Sequence, residues 1–269
     1  VTDHPGIRHV EIGCRDVAAS TEFYRDLLGF RPYERGGPDE QWLSAGPADL
    51  LLVPADTDDS GGWRYDDLQR GFRHIGLKVG SVDRQAERVA QAGVPFAVEP
   101  KQAYGGVRLC FFQDPDGTVL EFIEGHLDYD KTWTPELAEA ERAAHAARPA
   151  DAPPRFDHVA VTVADATATI DFYRTVFGYP VIGQLLNPKD TRGFEITYLQ
   201  AGSAVLEVFA FGVDTEPTPW RPGRRARGID RVAVAGDADT AGRATESGGQ
   251  VVSGGLLTDR DGIALDVIR

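Results

Sequence analysis

Apolar and polar side chains alternate over residues 7–13, which predicts a strand with His9, Glu11 and Gly13 on one face. Asp16 then precedes a stretch to about residue 28 whose apolar side carries Phe23, Tyr24, Leu27 and Leu28. That spacing predicts a helix, and Gly29 stands where a helix stops. Strands at about 40–44 and 49–53 complete a βαβββ unit. A second unit begins with a strand over 73–79 and a helix from about 83 to 92 closed by Gly93. It ends with strands near 96–99, 107–113 and 119–124, the last two joined by a tight turn at Asp114-Pro115-Asp116-Gly117.

The pattern is then written a second time. IRHVEIGCRD and FYRDLLGF, within 7–30, are answered by FDHVAVTVAD and FYRTVFGY, within 156–179, at a constant offset of 149 residues. Further on, AGPADLLLVP (45–54) matches AGSAVLEVFA (201–210), and RHIGLKV (73–79) matches DRVAVAG (230–236). DPDGTVLEFI (114–123) likewise matches DRDGIALDVI (259–268). Self-similarity on this scale implies duplication of one module of roughly 115–125 residues. Between the copies, TPELAEAERAAHAARPADAPP begins at Thr134, a plausible cap before a proline, and stops at Pro149, Pro153 and Pro154. The expected organisation is α+β: a module at 1–127, a helical linker at 128–154 and a second module at 155–269.

Composition narrows the functional classes. With 42% apolar and 26% charged residues, each half can build a core of its own. A formal charge of −14 repels nucleic acid and anionic membranes, so neither is expected as a partner. No apolar run approaches a membrane span and no signal peptide is visible, so the expected location is cytoplasmic. Cys14 and Cys110 lie inside apolar strand-like stretches, which suits buried thiols better than a disulfide.

Two βαβββ units per module, a histidine on the first strand and a closing DPDG-x-x-L-E strand resemble the vicinal oxygen chelate superfamily. That family includes glyoxalase I, methylmalonyl-CoA epimerase, extradiol dioxygenases and the bleomycin- and fosfomycin-resistance proteins. The resemblance covers both modules, about nine-tenths of the chain, and implies cup-shaped mixed sheets. Metal-binding members take ligands from the first, fourth, fifth and eighth strands. Carried onto this chain, those positions are His9, Leu51, His74 and Glu121 in the first copy, and His158, Glu207, Arg231 and Asp266 in the second. Leucine cannot ligate a cation and Arg231 would repel one, so neither copy alone supplies four ligands.

Two pairings of the units remain open. Cups built within one module, as in the dioxygenases, give His9, His74 and Glu121, the two-imidazole, one-carboxylate triad of non-haem iron. Cups built across modules, as in glyoxalase-like pairings, give a complete set of His74, Glu121, His158 and Glu207, beside a degenerate His9, Leu51, Arg231 and Asp266. The crossed set is favoured because it accounts for all eight residues. Each residue also has a plainer reading. His74 could be a core histidine, and first-strand histidines persist in members without metal. Acids such as Glu207 recur as structural residues, and Asp266 could pair with Arg231.

The resemblance implies one divalent ion (Zn, Ni, Co, Mn or Fe) and a small-molecule substrate with vicinal oxygens, bound by a monomer or homodimer. Its chemistry would be an isomerase, epimerase or lyase reaction through a metal-stabilised enediolate, with Glu121 or Glu207 as general base. One alternative is an Fe(II) extradiol-type dioxygenase using His9, His74 and Glu121, disfavoured because RLCFF lacks the expected tyrosine. The other is a binding or resistance protein that holds a small molecule without turnover. A basic island at Arg221, Arg224, Arg225 and Arg227 could hold a phosphate or carboxylate, or form a solvated loop. Trp63, Tyr65 and Tyr104 could wall the cup, and His4, His126 and His145 are expected at the surface.

Overall fold

The computed structural model describes residues 6–269, so His4 lies outside the described residues. The chain runs through four βαβββ units. The first comprises β1 (Ile7–Cys14), α1 (Val17–Glu22), β2 (Arg31–Tyr33), β3 (Gln41–Ser44) and β4 (Asp49–Pro54). The second comprises β5 (Gly71–Lys78), α2 (Val82–Gln91), β6 (Phe96–Gln102), β7 (Arg108–Gln113) and β8 (Val119–Glu124). After a short β9 (Lys131–Thr132) and α3 (Pro135–Ala146), the third holds β10 (Arg155–Thr162), α4 (Ala166–Phe177), β11 (Val181–Leu186), β12 (Glu195–Ala201) and β13 (Ala204–Ala210). The fourth holds β14 (Gly228–Ala235), α5 (Thr240–Glu246), β15 (Gln250–Ser253), β16 (Leu256–Thr258) and β17 (Ala264–Ile268).

Local chemistry explains most boundaries. The Asp16, Ser81 and Asp165 side chains accept from backbone N–H groups of the first turns of α1, α2 and α4. Gly178 closes α4 in the left-handed conformation. The first helix differs from expectation, because α1 passes into a π-helical turn at Phe23–Leu27 before Gly29. β2 was not expected: three residues, one of them Pro32, are too few to show alternation.

The strands assemble into two mixed sheets, and each draws on both halves of the chain. One has the order β15-β16-β17-β14-β1-β4-β3-β2, the other β6-β7-β8-β5-β10-β13-β12-β11-β9. The halves meet at two antiparallel seams, β1 with β14 and β5 with β10. Val10, Ile12, Leu50 and Leu52 of the first sheet share one continuous core with Ile75, Leu77, Val159 and Val161 of the second. The helices close that core with Tyr24, Val89, Phe172 and Tyr173. Each such side chain contributes on the order of 1.5–3 kcal/mol by leaving water. The opposite sheet faces carry smaller clusters, around Ala160, Tyr198 and Phe209 on one and around Trp42, Leu51 and Val53 on the other.

The repeated DxDG turns hold the two sheets together. Asp114 accepts from the Tyr24 hydroxyl at 2.8 Å and from the backbone N–H groups of Asp116 and Thr118. Asp259 does the same with Tyr173, Asp261 and Ile263. Asp116 and Asp261 in turn accept from Ser20 and Thr169 of the neighbouring helices. Thus each turn binds the two units of its own half, while the sheets join units of opposite halves. Cys14 and Cys110 are buried free thiols. Among the described residues no helix is long and apolar enough to cross a membrane.

Candidate metal centre

Strand register brings the crossed set of four residues together. On adjacent strands β8, β5 and β10, Glu121, Gly76 and His158 form one row. On β5, β10 and β13, His74, Ala160 and Glu207 form the next. Large polar and very small side chains therefore alternate like a checkerboard on one face of the sheet. The small residues are a steric requirement: a Cβ placed on Gly76 would lie 2.0 Å from His158 Cε1.

The four side chains are only 2–5% exposed. His74 Nε2 and His158 Nε2 are 3.1 Å apart. His74 Nε2 lies 3.4 Å from Glu121 Oε2 and 3.2 Å from Glu207 Oε2. His158 Nε2 lies 3.0 Å and 3.4 Å from the same two atoms. Donor atoms that share one cation at about 2.0–2.2 Å stand at such separations. Despite its proximity to both imidazoles, Glu207 Oε2 is buried without a hydrogen-bond partner. Two carboxylates and two neutral imidazoles carry charge −2, which a divalent cation neutralises where burial would otherwise make it costly. The donor set and its orphaned oxygen therefore fit a divalent metal.

Electrostatics without the ion point the same way. Burial alone would raise the Glu121 carboxyl, but hydrogen bonds and charge from His158 and His74 hold it at about 2. Burial opposes charging His158, yet Glu207, Asp157 and Glu121 together raise its pKa well above the ordinary value. Glu121 thus stays ionised and draws positive charge to this point.

A surrounding shell fixes the geometry. Asp157 Oδ2 lies 3.1 Å from His158 Nδ1, which turns Nε2 toward the cluster. Both side chains reach the same face because the register is irregular between Phe156 and His158. Burial alone would raise the Asp157 carboxyl, but the charge of Lys78 and the hydrogen bond and charge of His158 hold it well below the usual range. Tyr198 stands directly across from Glu207, and Phe111 across from Glu121 and edge-on to His74. A cavity of about 300 Å³ under α3 reaches Asp157, His158 and Tyr198. Its rim is held by Glu141 of α3, which accepts from the Tyr129 hydroxyl at 2.8 Å and the Leu127 N–H at 3.0 Å. Asp157 and Tyr198 escaped sequence reasoning. Counting register back through the Ala-Gly-Ser turn would have set Tyr198 opposite Glu207, whereas the irregularity that turns Asp157 inward has no sequence signal.

The other expected residues lie elsewhere. The set of His9, His74 and Glu121 is not assembled, because β1 belongs to the other sheet. There the equivalent rows read Asp266, Ala233, His9 and Arg231, Glu11, Leu51. Ala233 replaces Gly76, and the His9 ring instead stands edge-on to Trp42, centroids 4.7 Å apart. Glu11 fills the place of Ala160 and pairs with Arg225 at 2.9 Å and Arg231 at 3.5 Å. Arg231 also pairs with Asp230 at 2.8 Å, so its ion pairs are not with Asp266 as expected. His126 and His145 are half-buried and in mutual ring contact rather than at the surface, since His145 lies on α3 and His126 accepts from Arg142 of the same helix. Tyr104 binds Asp130 and the Leu186 carbonyl. Trp63 and Tyr65 line a different cavity, shared with Thr218 and Trp220.

Comparison with known proteins agrees with this architecture. A sequence model of the Glyoxalase/Bleomycin resistance protein/Dioxygenase superfamily matches residues 6–122 and 155–267. A lactoylglutathione lyase of Arabidopsis thaliana is 25% identical over 193 residues, covering 70% of this chain and 59% of that protein. The chain thus spans about three-fifths of that relative's length. The uncharacterised protein YwkD of Bacillus subtilis is 28% identical over 126 residues, 44% of this chain and 95% of YwkD. In fold, the crystal structure of glyoxalase I from Zea mays superposes with a TM-score of 0.70 at 21% identity, over 98% of this chain and 92% of that one.

Proposed function

Because this chain belongs to the glyoxalase/bleomycin resistance protein/dioxygenase superfamily, we propose that it is a divalent-metal-dependent lyase or isomerase acting on a small molecule with vicinal oxygens. His74, Glu121, His158 and Glu207 would hold the metal. The observation that carries this reading is the buried convergence of these four residues, with Glu207 Oε2 left unpartnered. When bound, a divalent cation supplies Lewis-acid stabilisation of negative charge on substrate oxygens, on the order of several kcal/mol.

The chain's own residues supply the rest. Glu121 and Glu207 are the carboxylates within reach of a substrate C–H beside the oxygens, and one of them takes that proton as general base. Asp157 keeps the His158 ring oriented, and Phe111 and Phe209 flank His74 and exclude water. The cavity of about 300 Å³ that reaches His158 has room for a small molecule. The Arabidopsis relative's name suggests the first substrate to try, the glutathione hemithioacetal from which lactoylglutathione would form.

Two measurements test the proposal. One divalent ion should bind per chain in the wild type and in His9→Ala, and be lost in His74→Ala and His158→Ala. Solvent deuterium should enter the substrate carbon only with metal present, and the exchange should fall sharply in Glu121→Gln or Glu207→Gln. Full metal content in His74→Ala, or exchange that survives chelation, would refute it.

A further inference from the structure

A second cavity lies between the two connections that cross from sheet to sheet. Residues 55–70 carry the chain from β4 to β5, and residues 211–227 carry it back from β13 to β14. The connections are zipped at two points. Backbone bonds join Arg70 and Leu68 to Glu216 at one, and Asp56 and Asp59 to Arg225 and Arg227 at the other. Between the zips is a space of about 450 Å³, within the range of small-molecule sites. None of the four clustered residues lines it.

Its walls are preorganised. Trp63 donates its indole N–H to the Phe72 carbonyl at 2.8 Å, and Trp220 donates to Asp230 at 3.2 Å. Both polar edges are therefore used, and the indoles offer the cavity their apolar rings. The acids on its lining are also committed. Asp114 serves Tyr24, Asp116 serves Ser20 and Asp230 serves Arg231 and Trp220.

The arginines divide into two groups. Arg64, Arg73 and Arg224 are neutralised by Glu216, Asp67 and Asp59. Among the described residues, Arg221 meets only the carbonyls of Thr218 and Trp220, and Arg227 Nε is buried with no hydrogen-bond partner. Among the described residues, neither Arg221 nor Arg227 has a carboxylate within ion-pair distance. An unpaired guanidinium donor beside fixed indole rings is a receptor for a planar anion. We propose that this cavity is a second ligand site, independent of the metal centre, that binds a flat organic anion by stacking on Trp63 and Trp220 and pairing with Arg221 and Arg227.

The probe is 8-anilinonaphthalene-1-sulfonate, an aromatic anion whose emission rises on entering an apolar pocket, titrated into the metal-loaded protein. One saturable site per chain is expected, with energy transfer from tryptophan. Arg227→Gln and Arg221→Gln should each weaken it by about tenfold or more, as loss of a charge-assisted contact requires. Arg227→Lys should retain more affinity than Arg227→Gln, and Ala226→Trp should block the site by filling it. Unchanged metal content and melting temperature in each variant show that the fold is intact. The absence of a saturable site, or binding indifferent to the arginine and Ala226 changes, would overturn the proposal. So would binding that is lost in His74→Ala while the arginines remain, since the probe would then occupy the metal cup.

Discussion

Replacing Gly76 by alanine should disable the metal centre without touching a ligand. A Cβ there would lie 2.0 Å from His158 Cε1 and 2.2 Å from Nε2. To restore ordinary contact the imidazole must recede by about 1.4 Å, or the two seam strands must part by that amount. Metal–donor distances tolerate only about 0.2 Å, so Nε2 is withdrawn from the cluster. Disturbing even an outer-shell partner weakens binding by about 10–100-fold, and displacing a ligand should reach the upper figure or exceed it. At saturating metal a 100-fold loss removes about 2.7 kcal/mol of ligand-linked stability. The metal-induced rise in melting temperature should shrink by roughly 5–10 °C, and the overpacked seam should lower the metal-free melting temperature as well. Metal titration followed by thermal denaturation, with and without chelator, measures both. Wild-type affinity in Gly76→Ala would refute the reasoning, because it would mean that His158 is not held where the strand register sets it. The other sheet already shows the outcome: with Ala233 at this position, His9 turns aside to Trp42.

Three further outcomes follow from particular contacts. Asp157→Ala should weaken metal binding by about 10–100-fold, read by competition with a chromophoric chelator, because His158 loses the acceptor that orients it. Tyr24→Phe should cost about 1–3 kcal/mol in urea denaturation by stripping a donor from buried Asp114, with metal content unchanged. Burial, then the charges of Arg35 and Arg231, push His9 down from 6.5 to about 4. Its lowered value means that the fold disfavours the protonated ring, so the associated stability is present above pH 6.5 and lost as pH falls toward 4. The loss amounts to about 3 kcal/mol, and urea denaturation at pH 7 and pH 4 should show it in the wild type and not in His9→Gln.

Much of the architecture is legible along the chain. Alternation over 7–13 and 73–79 is a local signal of strands with one buried face, and glycines 29, 93 and 178 take the positive φ that ends their helices. The repeat extends this to the second half, and comparing copies isolates Leu51 and Arg231 as the positions unsuited to a cation. What is hard to read is anything that depends on a neighbour strand. The inward turn of Asp157 comes from a register irregularity, and the role of Glu11 comes from facing Arg231 across a seam. β9, at two residues, has no periodicity of its own and exists because β11 is there to pair with it.

By itself, the sequence determines four βαβββ units and the residues in them able to bind a cation, because side-chain periodicity and turn chemistry act over a few residues. Only the tertiary structure decides that β5 joins β10 and β1 joins β14, since backbone hydrogen bonds across a seam are available to any pair of strands. The choice is made by how faces fit. Gly76 and Ala160 leave space for two imidazoles and two carboxylates at one seam, and Ala233 and Glu11 close that space at the other.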